Sequence, residues 1–394
     1  MILAKAPLFK LSLISLTIGG FSIGMTEFLM MGVLPDISKS LNITIPAAGH
    51  LISIYALGVV IGAPLIVGIA GNCPPKKVLI GLMLMVFVFN GLFAIAPSYG
   101  LLMLSRFFAG LPHGAFFGVG AVVASKLAEP GREARSVAVM FAGLTVANII
   151  GVPLGTYIGH HFDWRYSFGG IAFFGLLAMM AIHYWMPQIQ AAANHSFRNS
   201  LQMFKTVDMW LIIGISAIGT GGFFAWISYI APLMTEVASF SANMITVIMV
   251  IIGLGMAVGN FIGGRMADKF SPLKTTLFLL LSMVVGLIFF AVISRFQVPA
   301  IIMTFLIGAI GFALIAPMQI MIMQYAKGAE MLASSVLQAT SNFGNALGAF
   351  LGGLPIAAGF GYTSPEYVGS GLSFVGFALC LILLFRSKNK ALKV

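Results

Sequence analysis

Residues 9–34 read FKLSLISLTIGGFSIGMTEFLMMGVL, an apolar run in which only Lys10 and Glu27 are charged. A helix of ~20 mainly apolar residues crosses the hydrocarbon core of a bilayer, so this run is long enough to span it. The run is too long for the apolar core of a secretory leader and ends without a cleavage site. It therefore predicts a first membrane span that is retained.

Similar runs recur along the whole chain of 394 residues, of which 60% are hydrophobic and 8% charged, with a mean hydropathy of +1.05. Soluble domains carry about a quarter charged residues, so this composition excludes an ordinary soluble enzyme, a disordered tail and a disulfide scaffold. Twelve spans are predicted, starting near Phe9, Ala47, Lys77, Tyr99, Ala134, Tyr166, Val207, Ser241, Leu273, Val298, Glu330 and Pro365. The runs are far longer than barrel strands, and only helices or closed barrels satisfy the backbone in lipid. The fold class expected is an all-α membrane protein with twelve transmembrane helices.

The basic residues predict the orientation of these spans. Seventeen Lys and Arg lie on the side that carries both termini, and three (Lys39, Arg165 and Arg295) lie on the other. Cytoplasmic loops retain Lys and Arg, so both termini are expected in the cytoplasm. The net charge of +11 is spread over short loops with no basic face, which argues against nucleic acid as a partner. Cys73 and Cys380 offer no metal-ligand spacing, and no metal or cofactor is expected.

An internal repeat appears when the sequence is shifted by 197 residues. Seven glycine pairs then coincide, where about three are expected by chance, and other matches include Pro35 with Pro232 and Asn148 with Asn345. The alternative is that small residues simply recur at helix contacts. Six spans per half is an even number, so the halves would be parallel repeats with a site between them. We expect an N-terminal half at 1–186, a cytoplasmic linker at 187–206 and a C-terminal half at 207–394.

Several stretches resemble motifs of the major facilitator superfamily. Residues 264–269, GRMADK, resemble its loop motif, which implies a conformational role for Gly264, Asp268 and Lys269. The corresponding first-half loop has Gly71 in place of Asp268. A charged, solvated turn is the alternative reading of this loop.

Further motifs narrow the resemblance to the drug:proton antiporter-1 family. Residues 151–155, GVPLG, resemble a glycine-proline motif of antiporters and imply that Gly151, Pro153 and Gly155 let helices pack and move. Residues 24–28, GMTEF, and 164–168, WRYSF, are similar to this family, and residues 112–120, PHGAFFGVG, resemble its sugar-efflux branch. The resemblance covers nearly the whole chain. It implies the major facilitator fold, a monomer and a bacterial inner membrane location.

Two charged residues lie away from the ends of the predicted spans. Glu27 is eight residues before Pro35 and Arg106 seven after Tyr99, so both lie ~11–12 Å deep at 1.5 Å per residue. A charge inside a membrane costs ~2.5–3.5 kcal/mol on insertion scales, which makes each a functional hypothesis. We interpret Glu27 as a proton carrier tuned by Arg106, with His113 as a relay. A static Glu27–Arg106 pair, and a packing role for His113, remain alternatives.

A mixed aromatic and amide lining is predicted for the substrate. The candidates are Tyr55, Asn148, Phe223, Trp226, Tyr229, Gln338, Asn342 and Asn345. Such a lining suits a sugar ring or an amphipathic drug, and packing is an equal alternative for the asparagines.

Together these patterns predict a transporter and no enzyme. The expected function is proton-coupled efflux of a small solute, sugar-like or amphipathic and drug-like, by alternating access. Its partners would be the small-molecule substrate, protons and membrane lipids. An uncoupled facilitator or importer and a lipid flippase are the alternatives. The sequence contains no P-loop motif, so ATP is not expected to drive transport.

Overall fold

The computed structural model describes residues 5–70, 73–128, 133–189, 201–326 and 330–391. Every regular element in these ranges is a helix. The first four spans are Lys5–Gly32, Ile45–Ala70, Pro75–Ile95 and Tyr99–Leu127. Span 5 runs through the successive segments Glu133–Val146, Ala147–Gly151, Val152–Ile158 and Gly159–Asp163, and span 6 is Trp164–Trp185. A short helix, Leu34–Leu41, follows span 1.

The second six spans follow residues 190–200, the part of the predicted linker that lies outside the described residues. A short 3₁₀ helix, Leu201–Lys205, comes first. Span 7 consists of Val207–Gly214, Ile215–Gly219, Gly221–Ser228, Ile230–Pro232 and Leu233–Val237. Spans 8 to 12 are Met244–Phe270, Pro272–Ile293, Gln297–Ala313 continued by Ile315–Tyr325, Glu330–Ala357 and Ser364–Ala391. Each predicted start lies within four residues of the observed one.

Ten helical stretches of the described chain are long and apolar enough to cross a membrane. One of them, Val139–Trp185, has 47 residues, which is about 70 Å of helix and twice the ~30 Å hydrocarbon core. The chain reverses within it at Asp163, whose backbone is extended and whose side chain accepts a hydrogen bond from the Arg165 N–H at 2.8 Å. This stretch is therefore two spans, and with the more polar span 11 the prediction of twelve helices is confirmed.

Side-chain bonds tie helices together at one end of the bundle. Lys76 Nζ donates to the Met186 carbonyl at 2.5 Å, and Arg386 Nε to Asp208 Oδ1 at 3.0 Å. These contacts tie the start of span 3 to the end of span 6, and the end of span 12 to the start of span 7. We call this end, where span 1 begins and span 12 finishes, the terminal side, and the opposite end the far side.

The repeat is visible in how the helices touch. A methyl group on Gly58 of span 2 would overlap the carbonyl of Phe107 on span 4. In the second half, a methyl group on Gly255 of span 8 would overlap the carbonyl of Phe305 on span 10. Glycine allows this backbone approach in both places, as small residues do in membrane bundles. The prediction of two parallel six-helix repeats is confirmed.

The buried apolar side chains show how the halves are joined. One large cluster contains residues of both halves, among them Phe28, Phe93, Trp226 and Phe290. Two others each belong to one half and lie toward the terminal side, around Phe116 in the first and around residues such as Met318 in the second. The halves therefore share an apolar core toward the far side and keep separate cores on the terminal side.

Candidate functional site between the halves

Glu27 lies at the boundary between the halves and is only 6% exposed. Its carboxylate Oε1 accepts a hydrogen bond at 3.4 Å from Nδ2 of Asn345, a fully buried residue of span 11. The two residues are 318 positions apart and belong to opposite halves. The carboxylate of the first half is therefore in direct contact with the second half.

Arg106 is fully buried on span 4 and is bound mainly through backbone oxygens. Its Nη1 donates to the Thr26 carbonyl at 2.8 Å, and its Nε to the Leu51 carbonyl at 3.3 Å. The Thr26 carbonyl belongs to the peptide bond that leads into Glu27, so the guanidinium lies at the depth that residue counting predicted. Among the described residues, the Glu27 carboxylate and the Arg106 guanidinium do not form an ion pair within 4.0 Å. A direct Glu27–Arg106 pair therefore does not hold the arginine in place.

Aromatic rings complete the surroundings of this cation. The Cζ atom of Arg106 lies 4.2 Å from the ring centroid of Tyr55, with Phe93 and Phe168 at 5.8 and 5.9 Å. The faces of such rings attract a cation electrostatically. The Tyr55 hydroxyl lies 3.0 Å from Nδ1 of His113, which is also buried. Arg106, Tyr55 and His113 thus form a continuous row between spans 4 and 2.

The predicted aromatic residues of span 7 are buried together. Phe223 lies 5.8 Å from Trp226 and 6.0 Å from Phe312, measured between ring centroids, and Phe312 lies 6.0 Å from Phe28. These rings reach the residue next to Glu27, and the buried Trp226 N–H beside them has no hydrogen-bond partner.

Tyr229 has a more definite structural position. Its hydroxyl donates to the Ala349 carbonyl of span 11 at 2.6 Å. A methyl group on Gly49 of span 2 or on Gly353 of span 11 would overlap that hydroxyl. Tyr229 therefore fills the point where spans 2, 7 and 11 meet on the far side.

The predicted amides differ in what they bind. Asn148 donates to the Leu144 carbonyl, and Asn342 to that of Gln338, so both bind within their own helices at 3.1 Å. The side-chain oxygens of Asn342 and Asn345 are buried without a partner. Gln338 is half-buried one turn before Asn342. Span 11 thus presents two unused acceptors one turn apart.

A small cavity of about 10 Å³, room for about one water molecule, lies between the halves. It is lined by Phe28, Asn148, Val152, Ile227, Met249, Ile252, Gly253 and Met256. Asn148 is the one predicted substrate residue in this lining, and the span 8 methionines were missed by sequence reasoning. The repeat carried a signal for this part of span 8, because a shift of 197 residues places Ile252, which lies between the two methionines, opposite Tyr55.

The halves touch on both sides of this cavity. On the far side Gly49 packs against Tyr229, and on the terminal side a methyl group on Gly118 would lie 3.2 Å from the Ser335 hydroxyl. The space between the halves is therefore closed at both points, and the other predicted substrate residues are packed rather than facing an open vestibule.

The motif residues occupy two different places. Gly151 and Gly155 of span 5 pack against Met25 and Leu29 of span 1, respectively. Pro153, which lies between the two glycines in the sequence, is also buried. Gly264 is half-buried at the terminal end of span 8, and Lys269 lies over the Phe270 ring at 5.1 Å. The side chain of Asp268 lies outside the described residues.

A buried acid of span 12 was missed by sequence reasoning. Glu366, in the first turn of span 12, is 1% exposed, and its Oε2 has no hydrogen-bond partner. The sequence gives no sign of this burial, because an acid at a helix start is commonly exposed and stabilised by the helix dipole. No group of three His, Cys, Asp or Glu side chains that could hold a metal occurs in the described ranges.

Comparison with known proteins relates this architecture to a large group. The chain is 39% identical to AraJ of Escherichia coli (strain K12) over 97% of its length and 96% of that protein. It is 39% identical to the inner membrane transport protein YdhP of the same strain, over 96% of each chain. It is also 27% identical to the "Probable sugar efflux transporter" of Helicobacter acinonychis (strain Sheeba), over 98% of this chain and 97% of that protein.

A solved structure supports the same fold. The nucleoside transporter NupG superposes with a TM-score of 0.78 over 95% of this chain and 99% of that one, at 12% sequence identity. The family model described as Major Facilitator Superfamily matches residues 16–330 and 227–393. Sequence, fold and site agree: the chain belongs to the major facilitator superfamily and is a multi-pass membrane transporter of small solutes.

Proposed function

We propose that this transporter exports a sugar-like or amphipathic solute from a bacterial cell across the inner membrane in exchange for protons. The observation that carries the proposal is the position of Glu27, buried where the two halves meet and bonded to both of them through its own peptide and its carboxylate. An ionisable group inside a membrane is costly and commonly marks a proton or ion pathway.

Alternating access gives this carboxyl group its function. A residue between two halves is exposed to water on one side when they open there, and on the other side when they rock back. Glu27 takes up a proton from the far side and releases it to the terminal side before substrate is loaded. Arg106, held at the same depth by the Thr26 carbonyl, adjusts how tightly the proton is bound. His113 relays through Tyr55.

The polar atoms left unused suggest the chemistry of the substrate. The Trp226 N–H can donate to a hydroxyl oxygen, and the Asn342 side-chain oxygen can accept from a hydroxyl. Tyr55, Asn148, Phe223, Tyr229, Gln338 and Asn345 complete the proposed surface. Aromatic faces beside hydroxyl-binding amides suit a sugar ring, in keeping with the sugar-efflux relative.

The proposed orientation in the membrane rests on the basic loops. Lys and Arg concentrate on the terminal side, which we assign to the cytoplasm together with both termini. Gly151, Pro153 and Gly155 would allow span 5 to move along span 1, and Gly264, Asp268 and Lys269 would hold the terminal loop between spans 8 and 9. Residues 1–186 and 207–394 would rock as the two units.

The test is transport by the purified protein in liposomes that contain a pH-sensitive dye. Pentoses, galactosides and cationic dyes are added in turn under an imposed pH gradient. We expect one class to evoke proton flux and to be pumped against its gradient. In Glu27→Gln both proton flux and uphill pumping should fall to the level of empty liposomes, while downhill exchange of the solute persists.

Glu366→Gln is the matched control, because it removes another buried glutamate, at the far end of the second half. It should leave proton flux unchanged. Uphill pumping that survives in Glu27→Gln would refute the proposal. Solute movement without protons in every variant would indicate a facilitator, and competition by lipids over sugars a flippase.

A further inference from the structure

The bond between Glu27 and Asn345 joins the two halves beside the apolar cluster that they share. Both residues are buried, and both belong to helices that face the shared cluster. A hydrogen bond to a charged group is roughly twice as strong as one between neutral groups. The strength of this contact therefore depends on whether Glu27 carries a proton.

The repeat provides an internal comparison for this amide. Asn345 and Asn148 are related by the shift of 197 residues and have the same Asn-x-x-Gly-x-x-x-Gly context. Asn148 donates to the Leu144 carbonyl one turn back in its own helix. Asn345 instead donates to a carboxylate of the other half. The same residue type at equivalent positions thus has a local role in one half and a bridging role in the other.

The free oxygen of Asn345 completes the argument. Its Oδ1 is buried and has no partner. An ionised carboxylate can only accept, whereas a protonated one has an O–H to donate, and an amide offers both a donor and an acceptor. After a proton binds, the O–H of Glu27 can donate to Oδ1 of Asn345 once the amide turns over. The amide thus binds either form, and the ionised form more strongly.

We propose that Asn345 is the positioning residue through which the protonation of Glu27 changes the contact between the halves. With Glu27 ionised the bridge is strong and the halves stay closed at this level. When a proton from water binds the carboxylate the bridge weakens, and the halves separate more readily. This inference deepens the proposed function and rests on the same carboxylate, but it assigns Asn345 to coupling rather than to substrate.

Other titratable groups near Glu27 are accounted for. Arg106 on span 4 acts through the Thr26 peptide, Tyr55 on span 2 lies against Arg106, and His113 lies behind Tyr55. Tyr229 on span 7 is engaged by the Ala349 carbonyl. Spans 5, 6 and 8 contribute apolar members of the shared cluster, such as Val152, Phe168 and Met249.

The experiment follows the proton on Glu27 directly. Infrared difference spectra of the full-length protein in lipid are recorded across a pH series, and the carboxyl band that disappears in Glu27→Gln is assigned to this residue. In Asn345→Leu the midpoint of that band should move by about one pH unit, the difference between a charge-assisted and a neutral bond. In the matched control Asn148→Leu the midpoint should stay at the parent value.

A second variant, nearly the same size as asparagine, keeps the test valid if Asn345→Leu does not fold. Asn345→Asp replaces the donor with a second carboxyl, so the two acids can bond only by sharing a proton, and the Glu27 band should split into two steps. An unmoved midpoint in Asn345→Leu, or a single unshifted step in Asn345→Asp, would overturn the inference. Neither measurement needs transport. The proposed function is tested separately, by uphill pumping in Glu27→Gln.

Discussion

The two halves of this transporter pack alike but differ in chemistry. Gly58 and Gly255 bring equivalent helix pairs to backbone contact, and Phe93 and Phe290 are equivalent and fully buried. In contrast, the 197-residue shift places Phe224 at the position of Glu27. Every helix pair in a bundle needs close packing, but a coupling group is needed only once. The difference separates residues that build the fold from those proposed to drive transport.

The same contrast holds for the groups around Glu27. Arg106 corresponds to Met303, which is 8% exposed, and Tyr55 to Ile252, which is 2% exposed. In the second half these positions belong to the shared apolar cluster. The fold therefore tolerates apolar side chains at this depth, so the charged set of the first half is not required by packing.

Converting the first half to the chemistry of the second should have the largest effect. In Arg106→Met, the charge-assisted hydrogen bonds to the Thr26 and Leu51 carbonyls are lost, which costs roughly 1.5–3 kcal/mol each. We expect proton-coupled efflux in liposomes to fall to the level of Glu27→Gln. Met303→Leu, at the equivalent position, should keep efflux at the parent rate. Normal coupling in Arg106→Met would show that the cation has only a packing role.

Glycine contacts should behave alike in both halves. In Gly62→Ala and Gly259→Ala the new methyl group would overlap the carbonyls of Leu111 and Ala309, respectively. Overpacking of this kind costs roughly 1–3 kcal/mol, so both should lower the Tm of the detergent-purified protein by similar amounts. Gly81→Ala, with nothing within 4 Å of the new methyl, is the control and should not lower Tm, because alanine favours a helix over glycine. A large effect in one half alone would contradict an equivalent packing role.

A smaller effect is expected at a position where the halves differ in size rather than charge. Tyr229 corresponds to Gly32 under the shift. Tyr229→Phe keeps the ring but removes the bond to the Ala349 carbonyl, which should lower the stability by about 1 kcal/mol. Tyr367→Phe, which is 54% exposed, should lose nothing measurable in the same thermal scan. Equal melting curves for the two variants would show that the far-side hydroxyl adds no stability.

Prediction from sequence succeeded where local patterns carry the information. Runs of apolar residues located each helix start within four residues, since the length of a span is set by bilayer thickness. The depth of Arg106 followed from helix rise alone, because both span ends were marked. Glu366 was missed because a sequence does not show that the first turn of span 12 is covered by neighbouring helices.

Sequence patterns do not predict which hydrogen-bond partners the buried polar side chains have. The sequence allows an ion pair between Arg106 and Glu27, yet Arg106 binds carbonyls of spans 1 and 2. A guanidinium has five donors, and which oxygens they meet depends on how the helices are rotated about their axes. The different bonds of Asn148 and Asn345 illustrate the same point, since nothing in their matching contexts distinguishes them.

The membrane location, the twelve helices, the repeat and the two buried charges follow from the sequence by itself, because hydropathy and residue spacing act along the chain. Only the tertiary structure decided that Glu27 contacts Asn345 across the halves, that Arg106 is held by backbone oxygens, and that the halves share one apolar core on the far side. Those contacts join residues up to 318 positions apart, and they arise from the mutual packing of helices whose own sequences favour no particular neighbour.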